Sequence, residues 1–389
     1  MVSPAVPAAE YLDPRTGERF PLLPPRWRSD AGAPLLVAPG RTVVSDFGAS
    51  AAPEAPKSLT TAAVAERGVW RYRSAMGVGE GVAPVTLGEG GTPLVAGDWA
   101  GEGTRFKLEW FSPTGSFKDR GASVMLTALR DQGVTAVLED SSGNGGAAVA
   151  AYAAAAGMAA TIFAPASTSP AKLRQARAFG AQVELVEGPR EASQEAAIAA
   201  EAAGRGFYAS HNWQPFFLEG TKSLAYELWE DLGFRAPDAV VIPVGAGSLL
   251  LGCALGFREL LAAGAIPRLP RLYAAQPRNC SPLDAAVRGP EADPLERPVA
   301  PTIAEGTAIR SPIRLPELVE AIRESGGSTA AIPEDGIAAA HAELARHGLF
   351  AEPTSATALA GHAELVARGE IRPGETTVVV LTGSGLKAA

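Results

Sequence analysis

At 389 residues, with 47% apolar and 20% charged side chains, the chain has the length and composition of a globular protein of two domains, which excludes wholesale disorder. A net charge of −8 without a Lys/Arg run argues against nucleic acid and anionic membranes as partners and leaves a small-molecule ligand. Cys253 and Cys280 exclude a disulfide framework, and His211, His341, His347 and His362 show no metal-ligand spacing, so no metal site is expected.

Residues 1–75 are proline-rich, with few periodic segments and a loop-like run, APEAPKS, at Ala52–Ser58; they are expected to wrap the rest. The N-terminus lacks the basic start and apolar stretch of a signal peptide, which predicts a cytoplasmic protein. At FSPTGSFKDRGAS (Phe111–Ser123) a Gly/Ser turn places a lysine at the opening of a helix. From Val134 onward, Val/Ile-rich runs alternate with helical stretches: VTAVLE (Val134–Glu139), ATIFA (Ala160–Ala164), QVELVE (Gln182–Glu187), FYAS (Phe207–Ser210), AVVIPV (Ala239–Val244), RLYAAQ (Arg271–Gln276) and TTVVVL (Thr376–Leu381). Helices are predicted around Pro170–Phe179, Ala192–Ala203, the Leu224, Leu228 and Leu232 row, Leu249–Ala262 and Thr354–Ala367. The uncharged stretch Gly146–Ala166 is long enough to span a membrane, yet its alanines and Gly157 fit a buried helix followed by a buried strand. Asn279–Ser311, rich in proline and charge, reads as a long surface loop that could cover a pocket. The fold class is therefore α/β, with parallel sheets flanked by helices.

Four segments carry chemistry. Lys118 is one of six lysines, and in the first turn of a helix it opposes the helix dipole, so stability alone does not select it there. A primary amine held on such a turn suits Schiff-base formation with a carbonyl. SSGNGG (Ser141–Gly146), PVGAGSLL (Pro243–Leu250) and TGSGLK (Thr382–Lys387) each follow a predicted strand, at the edge where open α/β sheets bind ligands. Each is also an ordinary turn in isolation. PVGAGSLL offers amide groups to an anion but matches neither nucleotide-binding glycine pattern. One lysine and three such loops converge on a phosphorylated carbonyl compound, pyridoxal 5′-phosphate.

GVWRYR (Gly68–Arg73), TLGEGGTPL (Thr86–Leu94), KLEWFSPTGSFKDRGA (Lys107–Ala122), SSGN, EGTKS (Glu219–Ser223), AEPTSATALAG (Ala351–Gly361) and TGSGLK together resemble the fold type II, tryptophan-synthase-β-like, family of pyridoxal-phosphate enzymes, and within it the threonine synthases. The resemblance implies that Lys118 is the Schiff-base lysine and the base for the Cα proton, and that Asn144 bonds the cofactor's ring hydroxyl. It also implies that Gly245, Ala246, Gly247, Ser248 and Leu249 cradle its phosphate, and that Thr382 meets the pyridine nitrogen. Ser141, Ser142, Gly145, His211, Asn212 and Phe217 are implied to face the substrate, an amino acid undergoing β/γ-elimination or replacement.

By the same resemblance, residues 118–210 form a small domain inserted into a larger one of 76–117 and 211–389, and the protein is a homodimer. Three positions depart from the family pattern: Phe217 stands at a usual arginine, Gly145 at a usual threonine and Ser384 at a usual His or Asn. Losing the arginine and threonine points to a leaving group less charged than the phosphate of O-phosphohomoserine. Tyr11–Leu35 resembles a zinc knuckle without its cysteines, so no zinc is expected. Two alternatives stay open: a genuine threonine synthase, and a cofactor-binding protein without catalysis.

Overall fold

A computed structural model describes residues 9–38, 68–79, 81–289 and 299–387. The APEAPKS run lies outside the described residues, as does the middle of the Asn279–Ser311 patch.

The N-terminal segment forms a small antiparallel sheet, β2(Arg19–Pro21)-β1(Glu10–Leu12)-β3(Leu36–Ala38), with Tyr11 enclosed at its centre. The sequence reading missed these strands because each has three residues, too few to show a period of two. Buried Arg314 ties this sheet to the body, donating to the carbonyls of Leu35, Asn212 and Trp213.

Two parallel sheets follow. The four-stranded one, ordered β8(Gln182–Val186)-β7(Ala159–Pro165)-β6(Ala136–Glu139)-β9(Phe207–Tyr208), comes wholly from the middle of the chain. It alternates with α2(Asn144–Ala156), α3(Pro170–Ala178) and α4(Arg190–Ala202). The uncharged stretch is thus α2 plus β7, and no helix among the described residues is long and apolar enough to cross a membrane.

The six-stranded sheet runs β12(Thr329–Ile332)-β11(Arg271–Pro277)-β10(Ala239–Pro243)-β13(Thr377–Leu381)-β5(Thr104–Leu108)-β4(Leu94–Ala96), parallel except for edge strand β4. Its strands come from both sides of the middle segment, so the chain enters and leaves it around the smaller sheet. The central strand β10 is apolar and enclosed along its whole length, as a parallel strand covered on both faces must be. Helices α6(Ser223–Asp231), α7(Ser248–Ala262), α9(Leu315–Ser325), α10(Glu334–Arg346) and α11(Pro353–Ala367) accompany it, with α1(Lys118–Asp131) and α5(Pro215–Thr221) at the junction with the smaller sheet.

The Asn279–Ser311 patch is not all loop: Pro282–Arg288 forms helix α8. The Gln276 Oε1 atom accepts from the amides of Leu283 and Asp284, and Leu283 is fully enclosed, so one cap and one apolar anchor order a segment whose composition suggested a coil. The described C-terminal part of the patch does reach the ligand edge, because the Gly306 carbonyl presses on Gly245, and Glu305 pairs with Lys172 of α3.

Candidate active site

Lys118 opens α1, and a charged network around Arg120 fixes that helix. The enclosed Arg120 guanidinium donates from Nε (2.7 Å) and Nη2 (2.8 Å) to the Glu109 carboxylate and from Nη1 (2.9 Å) and Nη2 (2.6 Å) to that of Glu227. Enclosed Lys107 adds a contact to Glu227 at 3.1 Å and one to Asp231 at 2.8 Å. These bonds join β5, α1 and α6 and hold the Glu227 carboxyl far below the usual carboxylate range. Tight backbone approach secures the other side: any Cβ on Gly220 would lie 2.0 Å from the Arg120 carbonyl oxygen, and one on Gly252 would lie 2.2 Å from Thr221 Oγ1. The EGTKS segment therefore packs α5 onto α1 and α7, and its Lys222 pairs with Glu219 at 2.7 Å and Glu259 at 2.9 Å.

The Lys118 turn is stitched to the C-terminal loop. Phe117 N–H donates to the Thr382 carbonyl (3.0 Å), Ser384 N–H donates to that of Gly115 (3.0 Å), and Ser116 bridges Gly383. Thr382 follows β13, and β10 is its parallel neighbour, so the 243–249 turn emerges at the same sheet edge. The smaller sheet supplies Asn144, whose Nδ2 donates to both Glu352 oxygens at 3.2 and 3.1 Å. Glu352 N–H donates to the Gly383 carbonyl, and its carboxylate lies against Gly383. Lys118, Asn144, Thr382 and the 245–249 turn therefore meet where the two sheets' strand ends face each other.

The electrostatics favour a reactive amine. Burial pulls the pKa of half-buried Lys118 down to about 7, against the opposing pull of Glu139; Arg190 adds to the lowering, and Glu352 opposes it. A good share of the amine is then unprotonated near neutral pH. The Nζ atom stands 4.7 Å from the Phe117 ring centroid and 5.6 Å from that of Phe217, so two aromatic faces line it.

The anion cradle is visible in the backbone. Gly247 takes φ +87°, a left-handed conformation, and turns the chain into α7. Among the described residues the amides of Gly245, Ala246, Gly247, Ser248 and Leu249 have no hydrogen-bond partner. Unpaired amides at the start of a 15-residue helix are a ready site for a phosphate.

Residues 85–383 match the family described as pyridoxal-phosphate dependent enzyme. This chain belongs to that family. Curated relatives include the threonine synthase of Methanocaldococcus jannaschii, 35% identical over 83% of this chain and 81% of its own length. The threonine synthase of Mycobacterium leprae is 36% identical over 81% of this chain and 87% of its own. Among solved structures, a threonine deaminase from T.th. shares 27% identity at a TM-score of 0.60, covering 72% of this chain and 87% of that one. A fungal L-serine ammonia-lyase from Rhizomucor miehei superimposes at a TM-score of 0.65 with 22% identity, over 78% of this chain and 95% of that one, a likeness of fold. The architecture is that of the fold type II pyridoxal-phosphate dependent enzymes, and the cofactor is pyridoxal phosphate.

The residues fit that cofactor. The unpaired 245–249 amides suit its phosphate, the Lys118 amine suits its aldehyde, and the Thr382 hydroxyl, 3.1 Å from Ser355 Oγ, is a neutral partner for a ring nitrogen. Asn144, whose amide donates to Glu352, would have to release that carboxylate to meet a ring hydroxyl.

The residues expected to face the substrate are placed less uniformly. Ser141 and Ser142 lie in the turn before Asn144, with Ser141 Oγ beside Gly145. His211 covers Gly145, whereas Asn212 offers its carbonyl to Arg314. Phe217 is wholly enclosed, its ring against Gly121, so it forms the wall behind Lys118.

The sequence reading missed Glu139, Glu352 and Ser355. A signal existed for the first of these: Glu139 and Asp140 form a charged doublet at the end of a buried strand, directly before the SSGN turn, where unpaired charge is costly.

Proposed function

We propose that this enzyme is a lyase that eliminates an uncharged leaving group, a hydroxyl above all, from the β carbon of a small amino acid. The packing at positions 145 and 217 carries this reading. A Cβ added to Gly145 would lie 2.7 Å from both Cε1 and Nδ1 of His211, so imidazole fills the space that a threonine needs. Phe217, at a usual arginine position, is sealed against Gly121 and offers no charge to a dianion. The two departures form one repacked wall.

Bound pyridoxal phosphate supplies the electron sink for a Cα–H bond. Gly245 to Leu249 hold its phosphate through their amides, and Asn144 and Thr382 orient its ring. Lys118 Nζ, with a good share of it unprotonated near neutrality, takes the Cα hydrogen of the substrate. Phe117 and Phe217 line that amine with aromatic faces.

A second reading, threonine formation from O-phosphohomoserine, is favoured by the 35% and 36% identity to threonine synthases. Substituting His211→Asn, Gly145→Thr and Phe217→Arg together separates the two. If the wall alone sets the leaving group, turnover of O-phosphohomoserine rises about tenfold or more, equivalent to roughly 1.4 kcal/mol. Unchanged turnover in a variant that still shows the wild-type cofactor absorbance would refute the wall as the determinant.

A further inference from the structure

A buried acid–imidazole pair lies beside Lys118, outside the groups assigned above to the cofactor. Glu139 ends β6, and His211 lies just beyond β9, its parallel neighbour, so the sheet brings them together across 72 residues. Glu139 Oε1 is 2.8 Å from His211 Nδ1, and Oε2 accepts from the His211 backbone N–H at 3.1 Å. Both side chains are enclosed, which is costly for a charged pair without further bonds. The ring lies over Gly145, next to Asn144, and 5.6 Å from the Phe217 ring that faces Lys118. Its second nitrogen, Nε2, has no partner among the described residues and is not among their fully enclosed unpaired atoms.

We propose that Glu139 and His211 form a proton relay that protonates the departing hydroxyl from His211 Nε2. This rests on the hydroxyl-elimination reading above. Lys118 takes the Cα proton, and the electrons of that bond become the Cα–Cβ double bond. The Cβ–O bond breaks with its pair on oxygen, which takes the Nε2 proton and leaves as water. Nδ1 then accepts the Glu139 proton, so the ring stays neutral and the carboxylate carries the charge.

The surroundings suit this cycle. Burial raises the Glu139 pKa to about 7 and pushes that of His211 well below its usual value. The titratable and charged groups facing the pair are Lys118 of α1, Arg190 of α4 and Asp140, directly before the SSGN turn; Lys118 when protonated and Arg190 oppose an imidazolium, and Asp140 favours one. The pair therefore carries one proton on each partner, as Glu139–OH with an Nε2–H imidazole, in the orientation that presents a donor to the crevice. Above pH 7, Glu139 ionises and the ring proton shifts to Nδ1.

Two measurements test this. In holoenzyme acting on L-serine or L-threonine in D2O, His211→Asn and Glu139→Gln are expected to slow elimination about 10²–10⁴-fold while Cα hydrogen exchange, the work of Lys118, falls less than about threefold. Parallel loss of both processes, or unchanged elimination, would overturn the relay. In the cofactor-free protein, ¹⁵N NMR of labelled histidine is expected to show the His211 proton on Nε2 below pH 7, moving to Nδ1 above it, with no such switch in Glu139→Gln. A ring protonated on Nδ1 from pH 5 to 9 overturns the relay whatever the substrate. Wild-type enzyme that exchanges and eliminates no hydroxy amino acid, with the ¹⁵N switch intact, instead sinks the hydroxyl reading.

Discussion

Replacing Lys118 with alanine is expected to lower turnover of any substrate by at least about 10³-fold while leaving the fold intact. Among the described residues the side chain makes no ion pair, and its helix is secured two residues on by Arg120 and by the Gly220 contact, so the truncation removes chemistry and little stability. Among the described residues no nearby amine is free to replace it: Lys172 pairs with Glu305, and Lys387 donates to the Thr114 carbonyl and to Gln175 Oε1. Steady-state assays of the variant supplied with excess cofactor check this. Turnover within tenfold of wild type would remove Lys118 from the mechanism.

Arg120→Leu is expected to behave in the opposite way, costing about 3–5 kcal/mol of stability by leaving the Glu109 and Glu227 carboxylates enclosed against a reduced counter-charge. Lys107 still touches Glu227, but among the described residues the Glu109 carboxylate keeps only the Thr92 hydroxyl, at 2.6 Å. The same pairing gives a pH dependence. Glu227 has a folded pKa below its unfolded one, so its stabilisation is present above about pH 4.5 and is lost as acid protonates the carboxylate. Urea unfolding at pH 7 followed by fluorescence measures the loss, and a change below about 1 kcal/mol would mean that the network relaxes around leucine.

The parallel strands were legible in the sequence because β10 and β13 are enclosed along their whole length and β6 and β7 over most of theirs, so all four read as short, mainly apolar runs. Strand β5 was not, since TRFKL carries Arg105 and Lys107, and only the fold shows that Lys107 is enclosed with carboxylates from α6 and its end. Lys118 and the three turns stood out because glycine spacing and an isolated lysine are local signals. The Glu139–His211 pair did not, because partners 72 residues apart meet only through sheet pairing. The exclusion of a threonine at Gly145 depends in turn on where the His211 ring lies, which no single residue identity reveals.

The most direct test is to give the purified holoenzyme L-serine, L-threonine and O-phosphohomoserine in parallel, following 2-oxo acid, threonine and inorganic phosphate. The repacked wall predicts 2-oxo acid from a hydroxy amino acid and little phosphate release; threonine and phosphate appearing in equal amounts from O-phosphohomoserine, with no 2-oxo acid, would contradict it.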